Sequence, residues 1–336
     1  MTSHAAPSAV AGTGRDAAVA WHYGDPLREQ RIADTRAAVV DRSHREVITV
    51  GGPDRLAWLH SICSQHVSDL GEGDSTEALV LSPNGHVEQH WQVTELGGVT
   101  WLDTEPGAGA GSLEYLNKMI FLRRVEPVDV TADWAVLSLL GPRTPDVLAA
   151  AGLPVPAAAG QALPLADGGF VRRASGPSAD AADLIVPRAE RDHVITALAA
   201  AGAAPAGLWA YEALRVADRI PRAGAETDHR TIPHEVGWIG RAVHLQKGCY
   251  RGQETVARVQ NLGKPPRRLV LLHLAGESDE LPAPGTPVEL DGRTVGFVGT
   301  ALHHYELGPI ALSVIKRTIP DESLLTVTDH LARVES

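Results

Sequence analysis

The chain is poor in cysteine: 336 residues hold two, Cys63 and Cys249. Two thiols rule out a disulfide framework and fall short of the about four that usually hold an iron–sulfur cluster. They fit a reducing compartment, so a cytoplasmic location is expected. Aromatics are scarce at 4%, a compositional bias rather than a functional signal. No apolar run reaches the roughly 18 residues needed to cross a bilayer, and the N-terminus lacks the basic-then-apolar order of a secretory leader. Positive charge is in deficit, 30 Lys and Arg against 41 Asp and Glu. The resulting net charge of −11 argues against direct DNA binding or adsorption to an anionic membrane, both of which need a basic face. What is present is ordinary for a soluble globular protein: 44% hydrophobic and 21% charged residues, in a chain long enough for two or three domains.

Hydrophobic patterning predicts two α+β regions followed by an all-β one. Glu46 to Val50 reads as a strand stopped by Gly51-Gly52-Pro53. Asp54 is suited to cap a following helix whose apolar face is Leu56, Trp58, Leu59, Ile62 and Cys63, which makes Cys63 a core residue. Glu77–Leu81 and Val87–Val93 form a hairpin around Pro83-Asn84-Gly85, and Ser112 to Phe121 reads as a helix. A second set follows: strand Trp134–Leu140, helix Pro145–Ala151, strand Leu184–Val186 and helix Asp192–Ala200. Ala201 to Gly207 reads as a small-residue linker, and Trp209 to Val216 as a helix. After Pro265-Pro266 five short strands with Gly and Pro punctuation, including an Asp291-Gly292 hairpin turn, predict a small barrel.

The segment richest in chemistry is Lys247-Gly248-Cys249-Tyr250-Arg251-Gly252-Gln253-Glu254-Thr255-Val256-Ala257-Arg258. Cations stand two residues to either side of the thiol, a setting that favours thiolate. The flanking glycines permit a tight turn or close approach of a ligand to backbone. A buried cysteine at a loop-to-helix junction is the competing reading. Gln253 and Glu254 either orient the Cys249 loop or cap a helix through Val256 and Arg258.

This segment strongly resembles the signature of the YgfZ family of folate-binding proteins, relatives of the aminomethyltransferase (T-protein) of the glycine cleavage system. Asp228-His229-Arg230-Thr231-Ile232-Pro233-His234-Glu235-Val236-Gly237-Trp238 resembles the actinobacterial form of that family. Val39 to His44, Gly292 to Thr300 and Gly308 to Ile315 resemble its first strand and its barrel. The resemblance spans roughly residues 25 to 330. It implies an α+β fold of the T-protein type, a three-domain ring of two α+β domains and a C-terminal β-barrel around a central channel. The expected layout is a disordered tail at 1–18, a first α+β domain at 19–125 with 208–262 packing back onto it, a second at 126–207, and the barrel at 263–336. It further implies tetrahydrofolate or a derivative as cofactor. The implied role is as an accessory in iron–sulfur cluster assembly or repair, with cluster-assembly proteins or client enzymes as partners and an indirect effect on tRNA modification. The alternatives are a tetrahydrofolate-dependent one-carbon transferase and a paralogue with a repurposed ligand site.

Residue by residue, the resemblance makes Cys249 and Lys247 the catalytic candidates. Arg251, Gln253, Glu254, Arg258, Gln89, His90, Asp218 and Trp238 become the folate-binding candidates, with no metal ligands. Three departures from the T-protein pattern matter. Gln89 and His90 stand where it has an acidic pair, and Gln cannot ionise. In Leu214-Arg215-Val216-Ala217-Asp218-Arg219, Ala217 replaces the glutamate that bonds the pterin. Losing that charged hydrogen bond costs about 1.5–3 kcal/mol unless Asp218 supplies it. Cys249 replaces an aspartate. Between Lys247 and Arg268 lie Lys247, Arg251, Arg258, Lys264, Arg267 and Arg268 against Glu254 alone. That cluster suits the glutamate tail of folate, a solvated linker facing an acidic neighbour, or, without aromatics for stacking, a poor tRNA site. His229, His234 and Glu235 match no zinc spacing and read as loop residues.

Overall fold

The computed structural model describes residues 9–174, 176–276 and 280–335. The chain divides into two compact units, and each is built from two separated stretches. One is 1–47 with 129–214, the other 48–128 with 215–336. The expected tail falls partly on residues 1–8, outside the described residues. Residues 9–18 carry a short strand, β1 (Val10–Ala11), which pairs with β2 (Ala20–His22), and a single 3-10 turn whose Asp16 bonds His44 at 3.0 Å.

Along the chain follow α1 (Pro26–Thr35), capped by the Asp25 side chain, and β3 (Ala38–Asp41). Next come β4 (Glu46–Gly51), α2 (Arg55–Ile62), β5 (Asp74–Leu81), β6 (Val87–Leu96), β7 (Val99–Thr104), α3 (Gly109–Lys118) and β8 (Glu126–Asp129). Asp54 precedes α2 as expected but does not cap it. Its carboxylate instead accepts from Arg124, from the guanidinium at 2.7 Å and from the backbone amide at 2.9 Å. The chain then gives β9 (Trp134–Leu140), α4 (Thr144–Ala150), β10 (Ala162–Pro164), β11 (Phe170–Arg173), β12 (Ala182–Pro187), α5 (Arg191–Ala200), β13 (Ala204–Ala206) and α6 (Leu208–Ala217). It ends with α7 (Gln253–Leu262), β14 (Arg267–Ala275), β15 (Pro287–Leu290), β16 (Arg293–His304), β17 (Gly308–Lys316), β18 (Leu325–Val327) and β19 (His330–Val334).

The first unit holds a six-stranded sheet in the order β10-β11-β12-β9-β3-β13. Its last pair is parallel, so residues 204–206, read as linker, form an edge strand on β3. One face packs on α4 and α5 through Val39, Leu137, Leu139, Val147 and Leu198. The other packs on α1 and α6 through Ala33, Val40, Leu140 and Tyr211. Burial on both faces explains why β9 is an almost unbroken apolar run.

The second unit holds a five-stranded sheet, β5-β6-β7-β4-β8, and a closed six-stranded barrel, β14-β17-β16-β15-β18-β19. Val270, Leu272, Val298, Ile315 and Val327 are among the residues filling the barrel. Carboxylates fasten the segment after α6 to it, the most buried being Glu226. Fully buried Glu226 accepts from Arg215 (3.1 Å), the Arg222 amide (2.8 Å) and Thr300 of β16 (2.7 Å). No helix among the described residues is long and apolar enough to cross a membrane.

Candidate functional site

The site is set by the two faces of the β5–β6 hairpin. Side chains along a strand alternate between faces, and the register pairs Ala78 with Trp91 and Leu79 with His90. Ala78, Val80, Trp91 and Val93 therefore share one face. They pack beneath α2 and α3 with Trp58, Leu59 and Leu116. Glu77, Leu79, Leu81 and His90 share the other, where Val236, Trp238, Tyr250 and Val256 cover the two leucines.

Gln89 and His90 are adjacent in sequence but lie on opposite faces. Gln89 accepts a hydrogen bond from Ser112 of α3 at 3.0 Å, and Ser112 in turn accepts from the Trp91 indole at 2.9 Å. This is an internal polar tether inside an apolar layer. The two side chains therefore do not point to one place. Strand alternation is the physical reason.

His90 faces the polar side. Its Nε2 lies 2.9 Å from Glu77 Oε2, and its ring stacks on Trp238 at 4.8 Å between centroids and 28° between planes. Glu77 is 2% exposed, and its other oxygen accepts two hydrogen bonds from Arg241, at 2.7 and 3.0 Å. Burial alone would raise the Glu77 pKa. The His90 hydrogen bond and charge, with those of Arg241, outweigh it and hold the acid at about 2. Glu77 is thus a fixed anion that orients an imidazole on one side and a half-exposed guanidinium on the other. Trp238 itself is buried, so it supports His90 as a wall.

The Cys249 segment lies against the tip of the same hairpin. Gly252 has φ +84°, and a Cβ there would sit 2.7 Å from the Ser82 carbonyl oxygen. Only glycine lets the turn approach this closely. Arg251 forks onto Glu88 of β6 at 3.0 and 3.3 Å. Cys249 is free and exposed, whereas Cys63 is buried. Burial pushes the Cys63 thiol up, an effect partly offset by Lys247.

Lys247 corrects the expectation drawn from spacing. Its buried ammonium donates to the carbonyls of His60, Cys63 (2.5 Å) and Gln65 (3.1 Å). An ammonium has three N–H bonds, and all three are used at the C-terminal end of α2, where the helix dipole favours a cation. Desolvation lowers the Lys247 pKa. Its charge serves the end of a helix beside Cys63 and pins the loop that displays Cys249.

The remaining candidates separate. Gln253 opens α7 and reaches the Lys247 carbonyl at 3.5 Å. Glu254, in the first turn of α7, and Arg258 are exposed, as is Asp218, one residue beyond α6 and Ala217. Much of the basic cluster is internally neutralised. Arg267 binds Asp228 at 2.7 Å and Glu235 at 2.8 Å, Arg268 pairs with Asp321, and Arg251 with Glu88. Sequence reasoning missed Glu77 and Arg241. A signal for Glu77 was available: period-two alternation places it on the face of Leu79 and Leu81, where a buried acid needs a partner.

Comparison with known proteins fits this architecture. Residues 2–247 match the GCVT N-terminal domain. This chain belongs to the GCVT family. It is 30% identical over 298 residues to an aminomethyltransferase of Rubrobacter xylanophilus, covering 85% of this chain and 77% of that one. It is also 27% identical over 283 residues to a chloroplast protein of Arabidopsis thaliana named only in general terms as a transferase. That match takes in 78% of this chain but spans 61% of the longer plant protein. The glycine cleavage system aminomethyltransferase T of Bartonella henselae has the same fold, with a TM-score of 0.86 at 19% identity, covering 98% of this chain and 94% of the other. The GCVT architecture of α+β domains with a closed C-terminal barrel is the fold expected from the sequence.

Proposed function

We propose that this GCVT-family protein binds tetrahydrofolate or a derivative against the polar face of the β5–β6 hairpin, and that it is a YgfZ-type accessory in iron–sulfur cluster maintenance. The observation that carries the reading is the Glu77–His90–Trp238–Arg241 group, whose donor set suits the ligand. The half-exposed Arg241 guanidinium offers N–H donors to a carboxylate or pterin oxygen. His90, backed by Trp238, offers an imidazole ring. When bound, tetrahydrofolate would supply a one-carbon carrier and an oxidisable ring. The chain's own residues position it, and Glu77 keeps His90 and Arg241 in place. Cys249 is the reactive group, an exposed thiol on a loop held by Lys247 and Gly252. Calorimetry with tetrahydrofolate tests the first step, with a Kd below about 100 µM expected. Arg241→Ala weakens binding about tenfold, the worth of one charged hydrogen bond. Absence of binding rejects the folate site. Cys249→Ala retains folate affinity but fails to restore iron–sulfur enzyme activity in cells lacking the protein, and full restoration rejects the thiol role.

A second reading has its own support. A buried carboxylate bonded to an imidazole is the arrangement that orients a general base, so His90 with Glu77 suits proton transfer in one-carbon transfer to an amine. His90→Gln abolishes such turnover with methylene-tetrahydrofolate. Turnover of wild type no higher than blank dismisses this reading.

A further inference from the structure

The first unit contains a cavity of about 560 Å3 between the end of α4, α5 and the turn joining β10 to β11. Its origin lies in small residues. The seven-residue α4 stops at Ala150, and Ala151, Gly152 and Pro154 follow where a longer helix would project side chains into the space. On α5, Ala197 lies i+4 from His193 and i+3 from Val194, next to both, and it is too small to fill the volume the three border. The β10–β11 turn is pressed onto the sheet by Gly169, where a Cβ would stand 1.9 Å from the Ile185 carbonyl oxygen. That fixes Leu165 as an opposing wall. The volume lies in the roughly 300–1,000 Å3 range of small-molecule sites, as does the mostly apolar lining with few polar groups.

The charge around it has one sign. Asp167 and Glu190 are among the lining residues, with His193 the one basic side chain there and neither Lys nor Arg. The arginines adjacent in sequence are committed elsewhere. Arg188 donates to the carbonyls of Ser43, Thr131, Ala132 and Trp134, and Arg191 to Asp192 and Asp41. The N-terminus of α5 contributes about half a positive charge, against two full negative ones.

We infer that this cavity binds a small molecule with an apolar body and a protonated amine. The body lies along Leu153, Leu165 and Val194, and the ammonium points toward Asp167 and Glu190. This site does not depend on the folate reading. Octylammonium, octanol and octanoate titrated into the full-length protein, followed by calorimetry, rank the preference for charge. Octylammonium binds tightest and octanoate weakest. The double variant Asp167→Asn/Glu190→Gln brings octylammonium down to the level of octanol, a loss of about fivefold to tenfold for partly exposed ion pairs. Ala197→Trp fills the space and removes binding of all three. Val194→Trp does the same from another position, so that misfolding of one variant leaves the other to decide. Octanoate binding as tightly as octylammonium, binding that survives the tryptophan variants, or no saturable binding of any probe overturns the inference.

Discussion

The two faces of the β5–β6 hairpin use the same backbone for opposite ends. One carries Trp91, Val93 and Val80 into a dry layer with Trp58 and Leu59, where the polar atoms are tethered internally through Gln89 and Ser112. The other carries Glu77 and His90 to a charged group with Arg241. Burial on the first face stabilises the fold. The second face is buried as well, with Glu77 2% exposed, and holds charge that the fold alone does not require, since a buried ion pair is often no better than a hydrophobic substitute. The proposed ligand site uses this second face.

The largest test of that division is Trp91→Ala. Removing a fully buried indole lowers stability by about 3–5 kcal/mol in denaturant unfolding, while ligand affinity measured on the surviving folded fraction stays within about twofold, the scale of a nearly neutral change. A large loss of affinity would break the separation of the faces.

Glu77→Gln comes next. It leaves Arg241 and His90 without their anion and costs up to about 3 kcal/mol. A carboxylate whose pKa falls from 4.5 unfolded to about 2 folded stabilises the native state above pH 4.5. That stabilisation is lost as pH falls toward 2. The variant therefore flattens the fall in stability across this window by about 2–3 kcal/mol, read from unfolding at stepped pH. An unchanged slope would mean the acid is not held by its partners.

Lys247→Met is smaller, about 2 kcal/mol, from leaving the α2 carbonyls without their donor. Its effect on folding should exceed any effect on the thiol, and pH-dependent alkylation of Cys249 reports the latter. A large shift in that alkylation profile would return Lys247 to the catalytic role its spacing suggests. Smallest is Cys249→Ser, within about 0.5 kcal/mol as for other surface changes. In the native wild type a thiol reagent modifies one cysteine quickly, and Cys63 reacts only on unfolding. Rapid reaction of both would erase the distinction between their surroundings.

Element types were legible where periodicity was strong. The apolar run of β9, the Pro83-Asn84-Gly85 turn, the α5 and α6 helices and five of the six barrel strands stood out; β19, at His330–Val334, did not. Less legible were α1, whose polar sequence carries its buried Gln30 and Ala33 without a clear apolar stripe, and β13, three small residues recruited by a parallel partner about 165 positions earlier. Pairings of that separation leave no local trace. In the candidate site, the exposure of Cys249 and the tight turn at Gly252 agree with a segment rich in glycine and charge. The targets of those charges were not legible. Lys247 and Arg251 stand symmetrically about Cys249 in sequence, yet one turns inward to carbonyls 182 to 187 residues away and the other outward to Glu88.

The interleaving of the two units governs the order in which this polypeptide can mature on the ribosome. β3 emerges early, but its parallel neighbour at 204–206 arrives only after the whole of 48–128 has been made. Until then one flank of β3 offers unsatisfied amides and carbonyls to any passing extended chain. The 48–128 stretch in turn waits for residues 236–256 to cover Leu79 and Leu81. Nascent chains halted near residue 200 would therefore be the form most prone to clump and most in need of a chaperone, even though much of their mature secondary structure has already been synthesised.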